Sequence, residues 1–162
     1  MLTETSLTLR PLAGGESAAA RALVLDAAGR TPYAEPALET LTRAIENPSA
    51  EARALAAVRG GELLGAVVYG IVAGTVGAGR VYLVVVTAGA RLRGVASRLV
   101  DAAVAELERE RARFVLAEVP DNPRLAPGRE LLVRAGFLEE SHVPDFYADG
   151  VALTFLRRPV AQ

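Results

Sequence analysis

The chain has no cysteine, no lysine and no tryptophan, and a single histidine, His142, among its 162 residues. Without cysteine there are no disulfides, no thiolate nucleophile and no thiolate metal site, and one imidazole does not make a histidine metal centre. No metal is therefore expected, and His142 reads as an ordinary strand residue. Long apolar runs are missing as well: the longest, Val81 to Val86, is far too short to span a bilayer. The opening MLTETSLTLRPL has an early acidic residue and no apolar stretch behind a basic start, unlike a secretory signal. A cytoplasmic location without membrane attachment is the expectation. Charge of one sign is also lacking, since the formal net charge is -1, so no basic field draws a polyanion and nucleic acid is not an expected partner. All 18 basic residues are arginine, a compositional bias that makes arginine at any one site weak evidence of selection for arginine over lysine.

What is present is an ordinary globular balance. Apolar residues make up 51% and charged residues 23% of the chain, and the mean hydropathy is +0.27. Compact domains commonly hold roughly 100 to 200 residues, so residues 1–162 are read as one domain. Leu7, Leu9 and Leu12 predict a short edge strand before Gly14-Gly15. Glu16 to Ala28 and Pro36 to Glu46 predict two helices around the loop Gly29-Arg30-Thr31-Pro32-Tyr33. Arg53–Val58 and Leu63–Ile71 predict a hairpin about Gly60-Gly61, followed by a glycine-rich loop at 73–79 and a strand at Val81–Val86. From Gly94, Val95, Leu99, Ala103 and Leu107 recur every four residues, the stripe of an amphipathic helix. Phe114–Val119 predicts a buried strand and Arg129–Ala135 a short helix. Phe137–Val143 and Val151–Arg157 predict two more strands, joined by a loop at 144–150. The order strand, two helices, three strands, helix, strand, helix, two strands describes an α/β (α+β) domain with one mixed sheet flanked by helices.

Chemistry concentrates in Val84 to Leu99, VVVTAGARLRGVASRL. A helix N-terminus presents unpaired amides and partial positive charge, a ready anion site. Gly94 and Ala96 leave room for a phosphate, Arg91 and Arg93 add charged forked donors, and Ser97 offers one more hydrogen bond. The spacing fits neither the Walker loop, which needs lysine, nor the dinucleotide fingerprint, which needs a further glycine. On spacing alone, small residues that merely allow close packing remain an equal reading.

The segment Val86 to Ala96 resembles the acyl-CoA-binding motif of the GNAT superfamily of N-acetyltransferases, with Arg91, Gly94 and Ala96 at its three defining positions. Leu131 to Phe137 is similar to that family's helix-to-strand segment ending in Gly-Phe. The resemblance implies a mostly antiparallel, splayed seven-stranded sheet with about four helices. It further implies direct acyl transfer from acetyl-CoA to a primary amine of a small molecule or peptide. Backbone amides from Arg91 through Leu92, Arg93, Gly94 and Val95 to Ala96 would hold the pyrophosphate, and Val84, Val85 and Val86 the pantetheine arm. Asn122 would contact that arm or else end the strand in an Asx turn, Thr31 and Tyr33 would border the acceptor or else be ordinary loop residues, and a homodimer would be common. Two positions depart from the pattern: Leu132 stands where many members have a tyrosine that protonates the leaving thiolate, and Ala88 where a proline is frequent.

Acyl transfer to an amine needs a neutral amine, a stabilised oxyanion and a proton for the thiolate. Glu118, the carboxylate within the apolar strand, is either the general base or an arginine-paired structural group. Tyr147 either closes over the acceptor and replaces the missing acid or caps the core from a turn. Tyr82 either lines the cleft or packs. The competing class is a domain that binds acyl-CoA without catalysis; a third is a phosphate or nucleotide binder unrelated to CoA.

Overall fold

Alternation along one strand sets the layers. In β3 (Glu62–Ile71) Ala66 and Val68 pack with Ala20, Val24 and Leu41, while Val67 and Tyr69 pack with Val95, Leu99 and Val100 on the opposite side. Side chains of period two thus reach two separate cores, one on each face of the sheet. The computed structural model describes residues 6–91 and 94–160. The first face is covered by α1 (Ser17–Ala28) and α2 (Ala34–Glu46), the second by α4 (Val95–Arg109) and α5 (Ala126–Arg134). A single turn of helix, α3 (Ala88–Arg91), precedes α4. None of the described helices is long and apolar enough to cross a membrane.

The other strands are β1 (Thr8–Pro11), β2 (Arg53–Arg59), β4 (Ala78–Val86), β5 (Phe114–Pro120), β6 (Leu138–Ala148) and β7 (Val151–Pro159). They form one seven-stranded sheet in the order β1-β2-β3-β4-β5-β7-β6. Every pairing is antiparallel except β4 with β5. The expected mixed, mostly antiparallel, splayed sheet is therefore observed. Leu99, Val100, Ala103, Val104 and Leu107 on α4 are all buried. At roughly 1.5–3 kcal/mol for each fully buried leucine or valine, that stripe holds the helix to the sheet far more firmly than helix propensity does.

Several boundaries differ from expectation. Among the described residues there are five α-helices rather than four, because Ala88–Arg91 closes a turn where a plain joint was expected. β4 begins at Ala78, not Val81: Gly79 and Arg80, assigned to the end of a loop and the joint after it, are bonded to strands on both sides. α2 and α5 start earlier than expected because Pro36 and Pro127 fall in their first turns, where the missing N–H costs nothing. The expected loop at 144–150 is partly strand, since β6 runs to Ala148 and only a tight turn separates it from β7. Between the pairs Val143↔Leu153 and Ala148↔Val151, however, residues 144–147 stand opposite Ala152 alone and arch away from the ladder. Pro144 brings no N–H to the ladder and Asp145 has a positive φ of 53°, both of which break regular pairing.

Candidate active site

β4 and β5 are paired only at Ala78↔Phe114, Gly79↔Val115 and Arg80↔Leu116. Beyond Arg80 they part: β4 stays bonded to β3 as far as Val86, and β5 to β7 as far as Pro120. Parted strands leave facing edges of unpaired backbone N–H and C=O groups. A cavity of about 510 Å³ lies on the α4–α5 side of the gap, lined by Val84, Val85, Val86, Ala96, Leu125 and Gly128 among others. A second, of about 650 Å³, opens toward the loop between α1 and α2 and includes Tyr33, Arg80, Tyr82, Glu118, Leu132 and Tyr147. Val84, Val85, Leu125 and Gly128 line both, so the gap is one continuous cleft.

The N-terminus of α4 contributes Ala96 to the smaller cavity. Gly94 enters the helix with φ 72°, a left-handed conformation that favours glycine. The Arg98 amide donates to the Gly94 carbonyl at 3.2 Å as the first helical bond, so the amides of Val95, Ala96 and Ser97 have no helical carbonyl behind them. Val95 and Ala96 are buried, and Ser97 is half-buried. Leu92 and Arg93 lie outside the described residues, as does the side chain of Arg91.

Polar groups gather in the larger cavity. Arg80 Nη2 lies 3.1 Å from Glu118 Oε2, and the Arg80 guanidinium sits 4.6 Å from the centre of the Tyr82 ring. Opposite, Tyr147 meets Tyr33 edge-on with ring centres 5.4 Å apart, and Phe146 at 4.9 Å. Burial raises the pKa of the Tyr147 phenol, and the charge of Glu118 raises it further, partly offset by Arg80. A phenol held above its ordinary range keeps its proton at neutral pH, as a proton donor requires. Glu118, Tyr147, Tyr33 and Tyr82 therefore share one cavity. Asn122 borders it too, while its Oδ1 accepts from the Arg124 amide at 2.9 Å and so caps the turn after β5. Leu132 is buried in the core beside the same cavity.

Arg80 escaped sequence reasoning because β4 was begun three residues too late, at Val81 instead of Ala78. With Arg80 opposite Leu116 in a parallel ladder, Glu118 is the same-face diagonal neighbour, within reach of a long side chain. Arg124 escaped as well: its Nε donates to the Ala27 carbonyl at 3.1 Å and its Nη2 to the Asp26 carbonyl at 2.8 Å. A guanidinium bound to backbone carbonyls far away in the chain leaves no pattern in the sequence.

A splayed mixed sheet with a helix N-terminus beside the gap is the arrangement that the resemblance to acyl-CoA-dependent transferases implies. Residues 22–137 match the Acetyltransferase (GNAT) family, and the chain belongs to that family, whose members use acetyl-CoA. It is similar to a protein from Desulfovibrio desulfuricans described as a GNAT-family acetyltransferase, with a TM-score of 0.85 and 24% identity over 96% of this chain and 100% of that one. It is also similar to the aminoglycoside 6'-N-acetyltransferase of Enterococcus faecium (TM-score 0.77, 15% identity, 96% of this chain and 98% of that one). A chain of the NatC complex bound to Gag peptide and CoA is a third likeness (TM-score 0.74, 17% identity, 96% of this chain and 99% of that one). No protein with a curated description matches the chain. The residues present fit acyl-CoA: bare amides at α4 suit a pyrophosphate, and the open edge of β4 suits an arm that carries amides of its own.

Proposed function

We propose that the protein is an N-acetyltransferase that moves an acetyl group from acetyl-CoA to the primary amine of a small molecule or peptide by direct attack. The observation that carries this reading is the parting of β4 from β5 beyond Arg80, which opens a backbone edge beside the α4 amides and in front of Glu118 and Tyr147. Acetyl-CoA supplies an activated acyl carbon and a thiol leaving group. Glu118 takes the proton of the attacking nitrogen, directly or through water, as the C–N bond forms. A backbone amide near Val85 or Val86 donates to the carbonyl oxygen. Tyr147 gives its phenolic proton to sulfur as the C–S bond breaks. Arg80, 3.1 Å from Glu118, fixes the carboxylate in the cleft. The proposal takes the enzyme as one cytoplasmic domain acting without nucleic acid, membrane or metal, and size-exclusion chromatography tests the homodimer that the resemblance implies.

Binding and chemistry are tested separately. At roughly a hundred times its dissociation constant acetyl-CoA should stabilise the fold by about 2.7 kcal/mol, and each kcal/mol raises Tm by about 2–4 °C at this size. No shift would remove the acyl-CoA assignment. Thiol release over a panel of primary amines then tests transfer. A non-catalytic acyl-CoA-binding or sensing module is the second reading, favoured by Leu132 at the position of the usual acid. It requires the thermal shift with no thiol release from any amine.

A further inference from the structure

The charges around the larger cavity are few and already committed. Among the described residues that line it, Glu118 is the one carboxylate, and Arg80 is bound to it at 3.1 Å. Arg129, the second cation of the lining, is bonded to Glu139 at 2.6 Å. Both guanidiniums are thus paired and Glu118 is itself taken up by Arg80, so the described lining offers no free carboxylate, and Arg80 Nε is buried without a hydrogen-bond partner. The remaining wall is largely aromatic and apolar, with Pro32, Tyr33, Tyr82, Leu132 and Tyr147 around a volume of about 650 Å³. That size is ordinary for a site enclosing a small organic ligand.

We propose that the acceptor is a primary amine with a single positive charge and an aromatic or branched apolar body, and that polycationic amines are rejected. This rests on the acetyl-transfer reading of the site. The reacting nitrogen enters neutral, beside Glu118. An apolar body loses nothing on leaving water and packs against the edge-on pair Tyr33–Tyr147. Each extra ammonium of a polycation enters a low-dielectric cavity whose described lining has no second carboxylate to meet it and a guanidinium nearby to repel it. Discrimination therefore comes from the unpaired charge of the wrong substrate as much as from contacts to the right one.

The experiment measures CoA release from acetyl-CoA by the full chain with tyramine and phenethylamine against spermidine and kanamycin at one pH and salt concentration. The expected kcat/KM favours the aromatic amines by at least about tenfold, a difference that a buried unpaired charge readily supplies. A carboxylate added at the rim by Thr40→Glu, where Thr40 lines the cavity from α2, should shift the ratio toward spermidine by about tenfold or more. Equal rates for the two sets, a preference for spermidine or kanamycin, or no turnover of either aromatic amine would overturn the assignment. Failure of the acetyl-transfer reading is seen apart from this, as no CoA release with any amine of the set, polycations included, whether or not acetyl-CoA still raises Tm.

Discussion

Tyr147 illustrates how a few side chains set the chemistry of the cleft. Its phenol is raised first by burial and then by the charge of Glu118, with Arg80 pulling the other way. A raised phenol stays protonated through neutral pH and loses its proton only above the ordinary tyrosine range, so an acid of this kind works below that limit and fails above it. The rate should accordingly hold through neutral pH and fall on the alkaline side. Tyr147→Phe should lower kcat by about 10²–10⁴-fold, the usual size of a general-acid contribution, while KM for acetyl-CoA stays within about twofold. Steady-state kinetics across pH checks both; a variant with unchanged kcat would transfer the proton's delivery to another group. Leu132 was legible in the sequence as a missing acid, because a single position against a motif is enough to read an absence. Tyr147, the proposed replacement, was legible as a loop residue that either supplies the acid or caps the core. What brings Tyr147 into the cavity is the arch at 144–147, and the arch follows from ladder register that only the paired strands reveal.

Elements were legible where periodicity is long. The four-residue stripe of α4 and the paired glycines between β2 and β3 predict their structures from the sequence, because packing and turn geometry impose those patterns locally. Contacts between distant elements leave no such trace, and the bond of Arg124 to the end of α1 is an example. Its guanidinium reaches the carbonyls of Asp26 and Ala27, at the negative pole of the helix, and ties α1 to the segment that follows β5. Gly29 makes room for it: the residue has φ +58°, and a Cβ there would come within 2.5 Å of the guanidinium carbon. Arg124 lines the smaller cavity and Gly29 ends α1 where the loop that carries Tyr33 begins, so the latch holds the start of that loop. Arg124→Ala removes charged hydrogen bonds that are exposed to solvent, a loss of about 1 kcal/mol. Gly29→Ala adds backbone strain of about 1–3 kcal/mol together with the collision. In the double variant the collision is absent, so the cost should fall below the sum of the single costs by at least about 0.5 kcal/mol. Urea denaturation of the four proteins measures it, and strict additivity would mean that the two residues do not meet in solution.

For the whole molecule, the sequence carried, through the resemblance, the family's order of elements and its splayed sheet, but not the short joint that closes the gap. The sheet consists of β1–β4 and β5–β7–β6, joined by three residue pairs at the closed end of the gap. Such a short parallel ladder is weak by itself, so the angle between the two halves must be fixed by the core beneath it. Leu107 of α4 is that support: fully buried, its Cδ1 is 3.1 Å from where a Cβ on Gly79 would lie, directly under the joint. Leu41 of α2 is equally buried but belongs to the core on the opposite face, and it lines neither cavity of the cleft. Leucine-to-alanine changes at both sites should destabilise by about 2–5 kcal/mol, since each removes the same atoms and leaves a cavity. Their effects on binding should differ. Loosening the joint lowers the fraction of molecules whose strands stand at the competent separation, and apparent affinity falls by that fraction. Leu107→Ala should weaken acetyl-CoA binding about threefold or more, whereas Leu41→Ala should leave it within about twofold. Calorimetric titration well below each variant's Tm makes the comparison. Equal affinities in the two variants would show that the cleft keeps its width without Leu107, and that the three-pair ladder alone is a sufficient joint.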